Sequence, residues 1–195
     1  SQTDSGRRSA LHRAAAELLE SQPGHDVDLS LVATLWTGAG EVSRAMAATL
    51  GAAEARERAG DPVGTTSCYA DALRLLGRGR TNRHALRRKQ AEALMRSGMY
   101  AAAARAAGAA VRLAQDEDAR AEALGLQAFA LVQTGRFHRA LAVAAEVARR
   151  AVASGNPVRL AQARRIAGVG LGRLGREAEA IPVLEEARRL FQEQV

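Results

Sequence analysis

The chain has 195 residues, 47% of them hydrophobic and 25% charged, which suffices for one sizeable core or about five to six stacked helix pairs. No apolar run approaches the roughly 18 residues of a membrane span. The single cysteine, Cys68, excludes an internal disulfide or cysteine cluster and fits a reducing cytoplasm. The start, SQTDSGRRSA, has no apolar leader and no initiator Met, as expected of a processed chain or a piece of a longer one.

In chain order, the first eight residues are polar and predict a disordered tail. Leu11, Ala15, Leu18 and Leu19 share one face of a helix over Ser9 to Ser21, with Ser9 as its cap and Pro23 and Gly24 as its stop. Asp28 is placed to cap a short helix through Leu31, Leu35 and Trp36 that Gly38 and Gly40 close. Glu41 to Ala59 reads as one long helix interrupted only by Gly51. Asp61 and Pro62 open the next, because proline at a first helical turn loses no hydrogen bond. The segment GRGRTNR is the plausible flexible joint, and from there helices and glycine turns alternate, with breaks at QDED and SGNP. β-Branched residues are few and no alternating run appears, so strands are not expected.

Gly60, Gly98, Gly135 and Gly175 recur at spacings of 38, 37 and 40 residues, each closing one apolar helical pattern and opening the next. Small residues fall in register with them. Five residues past a turn glycine stand Ala103, Ala140 and Ala180, and seven before it stand Ala91, Ala128 and Gly168. These positions let two antiparallel helices approach, while Leu94, Leu131 and Leu171, four before the glycine, fill the space between. The expected fold is all-α, an α-solenoid of antiparallel helix pairs. The expected organisation is a tail at 1–8, irregular repeats over 9–80 and regular repeats over 81–195 in one continuous solenoid.

KQAEALMRSGMYAAAARAAGAAVRLA and LGLQAFALVQTGRFHRALAVAAEVARRA resemble the helix-turn-helix unit of the tetratricopeptide repeat, whose superhelix is right-handed. The Trp and Tyr positions of that family hold Arg87, Leu94, Leu124, Leu131, Arg164 and Leu171 here, and the spacings exceed its 34 residues. LHRAAAELLE and AGEVSRAMAATLGAAEARERAGDPVGTTSCYADALRLL are similar to the start of the helical sensor regions of large signal-transduction ATPases, including the large ATP-binding LuxR-type regulators of actinobacteria. That resemblance implies the sensor or oligomerisation part of a cytoplasmic transcriptional or signalling regulator, without its motor or its DNA reader.

Catalytic chemistry has little support. His12, His25, His84 and His138 are scattered without i,i+4 partners, and Cys68 has no histidine or acid at a recognisable spacing. No P-loop or GxSxG motif occurs. Gly170, Gly172 and Gly175 spell GxGxxG, but LAQARRIAGV ahead of them reads as helix, whereas a dinucleotide cradle follows a strand. Neither an enzyme nor a cofactor or metal is expected, and binding is the expected function.

In tetratricopeptide arrays the first helix of each pair lines the concave groove. Carried over, that implies a groove of Arg88, Glu92, Arg96, Phe129, Val132, Gln133, Arg165, Val169 and Arg173, four arginines flanking an apolar strip. Guanidinium forks pair with carboxylates, so an acidic peptide or partner helix, or a small effector, would fit. The alternative is nucleic-acid binding through Arg74, Arg78, Arg80, Arg83, Arg87 and Lys89, a stretch without an acid. Net charge is +7, yet Lys89 is the only lysine among 28 basic residues. Arginine for lysine is also what a GC-rich coding bias produces, and six aromatics offer little stacking.

At the C-terminus, Ile181, Leu184, Ala187 and Phe191 are expected to face the preceding helix pair, leaving Val183 and Leu190 open. A solenoid end needs a polar face, so the chain is expected to stop in mid-array and to form a homodimer through its last helix, Arg176 to about Gln194.

Overall fold

The computed structural model describes residues 2–21, 27–77 and 82–193. Among them are helices and no strand: α1 (Gln2–Glu20), α2 (Leu29–Gly38), α3 (Val42–Arg58), α4 (Pro62–Leu75), α5 (Arg83–Arg96), α6 (Tyr100–Leu113), α7 (Glu117–Gln133), α8 (Phe137–Ala153), α9 (Pro157–Arg173) and α10 (Glu177–Gln192). They fall into two compact units, Ser1–Gly79 with α1 to α4 and Arg80–Val195 with α5 to α10.

In the first unit, α1 starts at Gln2, so the polar residues 4–8 expected as a tail are helical. Ser9 does not cap it. Its hydroxyl donates to the Ala39 carbonyl at 2.9 Å and ties α1 to the end of α2. The inner stripe of α1 runs through Ser9, His12, Ala16 and Leu19, with Ala16 fully buried, and leaves Leu11 and Leu18 65% and 61% exposed. The expected Leu11 and Leu18 face is thus the outer one, because α2 packs on the neighbouring helical row. Pro23 and Gly24 lie outside the described residues.

The remaining starts follow the sequence. The Asp28 carboxylate accepts from the Ser30 and Leu31 N–H groups at 2.9 and 3.3 Å and opens α2. Asp61 accepts from Gly64 N–H at 2.8 Å and opens α4, with Pro62 in its first turn. Trp36 is fully buried. Its indole N–H donates to Glu20 Oε1 at 2.8 Å, and the Arg44 guanidinium lies 4.4 Å from the ring centroid.

The second unit consists of three hairpins, α5/α6, α7/α8 and α9/α10, turned at Gly98, Gly135 and Gly175. Each glycine has φ near +70°, and the residue after it donates to the carbonyl four residues before it: Met99 to Leu94, Arg136 to Leu131 and Arg176 to Leu171, at 2.9 to 3.0 Å. These are Schellman closures, which satisfy carbonyls that a helix end leaves free. The three leucines also bury their side chains, at 5%, 1% and 8% exposure, so one residue serves turn and core together.

The small-residue register holds as well. Ala103, Ala140, Ala180, Ala91, Ala128 and Gly168 are all buried. Across each hairpin the residue seven before the turn glycine meets the one nine after it. Ala91 and Ala107 share a core cluster, as do Ala128 and Ala144, while a Cβ at Gly168 would lie 2.5 Å from Leu184. Volume lost at Gly168 is regained at Leu184, which keeps the interior filled.

The last helix departs from expectation in part. Ala180 and Ala187 are its close-approach residues, at 4% and 3% exposure, and Val183 and Leu190 share their stripe and are half-buried. Ile181 is 57% exposed and Leu184 37%. The stripe at 180, 183, 187 and 190 follows the helical repeat inward and turns Ile181 out.

Candidate functional site

The first helices of the three hairpins, α5, α7 and α9, pack beside one another. A cavity of about 670 Å³ lies over them. Arg88, Glu92 and Met95 of α5 line it, with Glu122, Leu126 and Phe129 of α7 and Val158, Arg159, Arg165 and Ile166 of α9. Small residues at Ala121, Gly125, Ala128 and Ala163 keep its floor low.

Of the expected groove residues, the structure brings Arg88, Glu92, Phe129 and Arg165 together in this cavity, and the other five do not line it. Val132 is half-buried against two core clusters. Arg96, Gln133 and Arg173 are the last residues of their helices and are exposed, and Val169 is 37% exposed. The cavity sits about two turns nearer the N-termini of α7 and α9 than expected. Glu122, Leu126 and Phe129 recur at intervals of four and three, as do Val158, Gln162 and Arg165. Extending the helical period backward from Phe129 and Arg165 is the signal that finds Glu122 and Val158.

Charge in the wall is largely matched. Arg88 pairs with Glu92 at 2.6 Å and with Glu122 of the next first helix at 3.7 Å. Arg159, with a side chain only 15% exposed, pairs with Asp118 at 2.9 Å. Arg165 forms no ion pair among the described residues. The cavity therefore offers an apolar middle, two arginines already held by carboxylates, and one arginine with its charge unmatched.

The basic stretch is described in part. Arg74 pairs with Asp71 on α4, Arg83, Arg87 and Lys89 are half-buried on α5, and Arg78 and Arg80 lie outside the described residues. Arg87 donates to Gln90 Oε1 at 2.9 Å. Burial first, and then the charges of Arg83 and Arg112, push its pKa below the usual arginine range.

The candidates for catalysis stay apart. Gly170 and Gly172 lie within α9 and Gly175 in its closing turn, and a Cβ at Gly170 would stand 3.3 Å from Leu141. The GxGxxG string is thus a helix–helix contact and a turn, with no strand before it. His84 Nε2 lies 3.2 Å from the Ala119 carbonyl, His12 packs near Gly38, His138 is exposed, and His25 lies outside the described residues. Among the described residues no group of three His, Cys, Asp or Glu can hold a metal ion, and no helix is long and apolar enough to cross a membrane. Cys68 is buried on α4 beside a cavity of about 570 Å³ between α2, α3 and α4, and burial pushes its thiol pKa up.

No protein-family model matches this chain, and no curated protein sequence matches it. Solved structures do. The chain is similar to a point variant of a Podosopora anserina putative kinesin light chain with nearly identical TPR-like repeats, at 16% identity and a TM-score of 0.69, over 97% of this chain and 92% of that one. A second structure of the putative kinesin light chain repeats gives 15% identity and 0.68 over the same shares. The MamA protein matches at 13% identity and 0.61, over 97% of this chain and 94% of its own. The fold is that of tetratricopeptide-like helical repeats.

Proposed function

We propose that this chain is an interaction scaffold that holds an acidic segment of a partner protein in the cavity over α5, α7 and α9. Arg165 is the observation that carries the reading. It stands unpaired at the edge of an apolar wall formed by Met95, Leu126, Phe129 and Ile166, where the neighbouring arginines already have carboxylates. A peptide that fills the wall with aliphatic or aromatic side chains and sets one carboxylate on Arg165 completes the pattern that Arg88 and Arg159 already show. The wider role rests on sequence resemblance. Such a scaffold serves as the sensor or oligomerisation part of a bacterial signal-transduction ATPase regulator, and a reading frame with a P-loop before this segment and a helix-turn-helix after it is the test of that role.

Selection of peptides from a random library on the immobilised chain tests the groove. Enriched peptides are expected to combine an acid with apolar residues. Phe129→Ala and Arg165→Glu should each weaken them about tenfold or more, with Arg139→Glu, on the exposed surface of α8, as the silent control. Peptides without acids that ignore both groove variants would overturn the reading. Capture that collapses steeply with salt and prefers single-stranded DNA would move the function to the basic stretch.

A further inference from the structure

In the second unit each hairpin except the last has one side of its second helix covered by the first helix of the next pair. Nine, twelve and sixteen residues past the turn glycine stand Ala144, Val147 and Ala151 in α8, exposed by only 1%, 2% and 1%. Val147 shares a core cluster with Ala163 of α9, and Ala144 shares one with Ile166. The same positions in α10 are Leu184, Ala187 and Phe191. There they line an open apolar pocket of about 470 Å³, with Leu184 37% exposed.

Two arginines stand in the wall of that pocket, Arg165 of α9 and Arg188 of α10, and neither forms an ion pair among the described residues. Their register is informative. Arg165 lies ten residues before its turn glycine, as Arg88 does, and Arg88 is met by Glu122 of the next first helix. Arg188 occupies the position of Ala148 in α8, which is buried at 8% exposure beside Ala163 of α9. A helix laid over this edge therefore covers two guanidinium groups, and it must bring carboxylates or leave them desolvated and unpaired.

We propose that the α9/α10 edge docks an acidic amphipathic helix of another protein, seated as α7 and α9 sit on the hairpins before them. Its small apolar stripe lies on Leu184, Ala187 and Phe191, and its carboxylates reach Arg165 and Arg188. A second copy of this chain, edge to edge, is the less favoured occupant, because a two-fold contact sets the Arg165 and Arg188 of one copy against the same arginines of the other. The edge is a surface separate from the groove, although Arg165 borders both. Phe129→Ala and Phe191→Ser tell the two apart.

The probe is a fluorescein-labelled 17-residue peptide with the sequence Glu117–Gln133, stapled on its outer face to hold the helix, since a peptide of that length is marginally helical alone. It carries Glu122 in the register that meets Arg88, so on the edge the same carboxylate faces Arg165. Anisotropy titrations are expected to show binding that Arg188→Glu or Phe191→Ser weakens about tenfold and that Phe129→Ala leaves within twofold. Glu122→Lys in the peptide should also weaken binding, and Arg165→Glu in the protein should restore it. Arg188→Glu changes an exposed residue, so circular dichroism should match the parent. Absence of binding, loss on Phe129→Ala alone, or indifference to both charge changes overturns the proposal. A parent that sediments as a dimer, dispersed by Phe191→Ser, overturns the choice of occupant in favour of a second copy.

Discussion

Trp36 and Tyr69, the two largest fully buried side chains among the described residues, both belong to the unit Ser1–Gly79, whereas in Arg80–Val195 nothing larger than Leu131 is fully buried; alanine fills most buried positions in both. The first unit is held by a few large side chains with polar handles, Trp36 to Glu20 and Tyr69 to Glu57, and by two Asp caps. In the second, small residues repeat at fixed distances from glycine turns, and helices approach closely at many places of modest individual worth. Destabilisation should therefore concentrate at single anchors in the first unit. In the second, sensitivity should lie in the turns and in anything that adds volume.

The largest expected effect tests the anchor side of that contrast. Trp36→Ala removes the fully buried indole and leaves Glu20 without its donor. The expected loss is about 3–5 kcal/mol from the first unit. Hydrogen exchange of α2 and α3 amides reads it, and a loss below about 1 kcal/mol would show that the unit has no single anchor.

Next comes the turn side. Gly135 has φ +73°, a region in which a β-branched residue is an outlier, so Gly135→Val should cost about 1–3 kcal/mol and open α7/α8 at its Schellman closure. A thermal melt superimposable on the parent's would remove the glycine turns as the source of the repeat register.

These turns were legible in the sequence because a left-handed closure demands glycine and the leucine four residues earlier must serve turn and core at once. Asp28 and Asp61 were legible because an N-cap is a local contact. What the sequence hid is whatever joins distant rows: Ser9 to Ala39, Glu20 to Trp36, and Asp118 to Arg159. The groove was half visible for the same reason. Arg88, Glu92, Phe129 and Arg165 follow from the helical period, but where along α7 and α9 the cavity lies depends on how three helices cross, which the period alone does not specify. The inner face of α10 was legible only in part, because Ile181 and the pair Val183 and Leu190 are all apolar: Ala187 is buried and Leu184 lies against Gly168 of α9 as expected, whereas Ile181 turns out and Val183 and Leu190 are half-buried.

A smaller effect examines the exchange of volume across the last hairpin. Gly168→Ala puts a methyl where Leu184 now stands, 2.5 Å from its Cγ and Cδ2, and Leu184 is exposed enough to swing aside. The expected cost is about 1 kcal/mol. Combined with Leu184→Ala, the hairpin regains the Ala/Ala pairing of Ala91 with Ala107 and of Ala128 with Ala144. The double variant should therefore be more stable than the sum of the singles implies. Strict additivity in denaturant melts would mean that the two positions do not trade volume.

The smallest expected change returns to the first unit, where Gly51 interrupts α3. Alanine there removes the entropic cost of a helical glycine, up to about 1 kcal/mol. Its Cβ would stand 3.1 Å from Leu29 Cδ1, tighter than an ordinary contact but against the tip of one flexible, half-buried side chain. The two effects oppose each other and the backbone gain should prevail, so Gly51→Ala is expected to raise stability by a few tenths of a kcal/mol. Leu29→Ala in the same background should lose less than it does in the parent, since it relieves the contact. Tryptophan fluorescence follows both variants in this unit, because Trp36 is the only tryptophan of the chain. A drop in stability for Gly51→Ala would mean that α2 and α3 are packed at Leu29 as closely as the alanine-lined helices of the second unit, and the contrast between an anchored unit and a close-packed one would fail there.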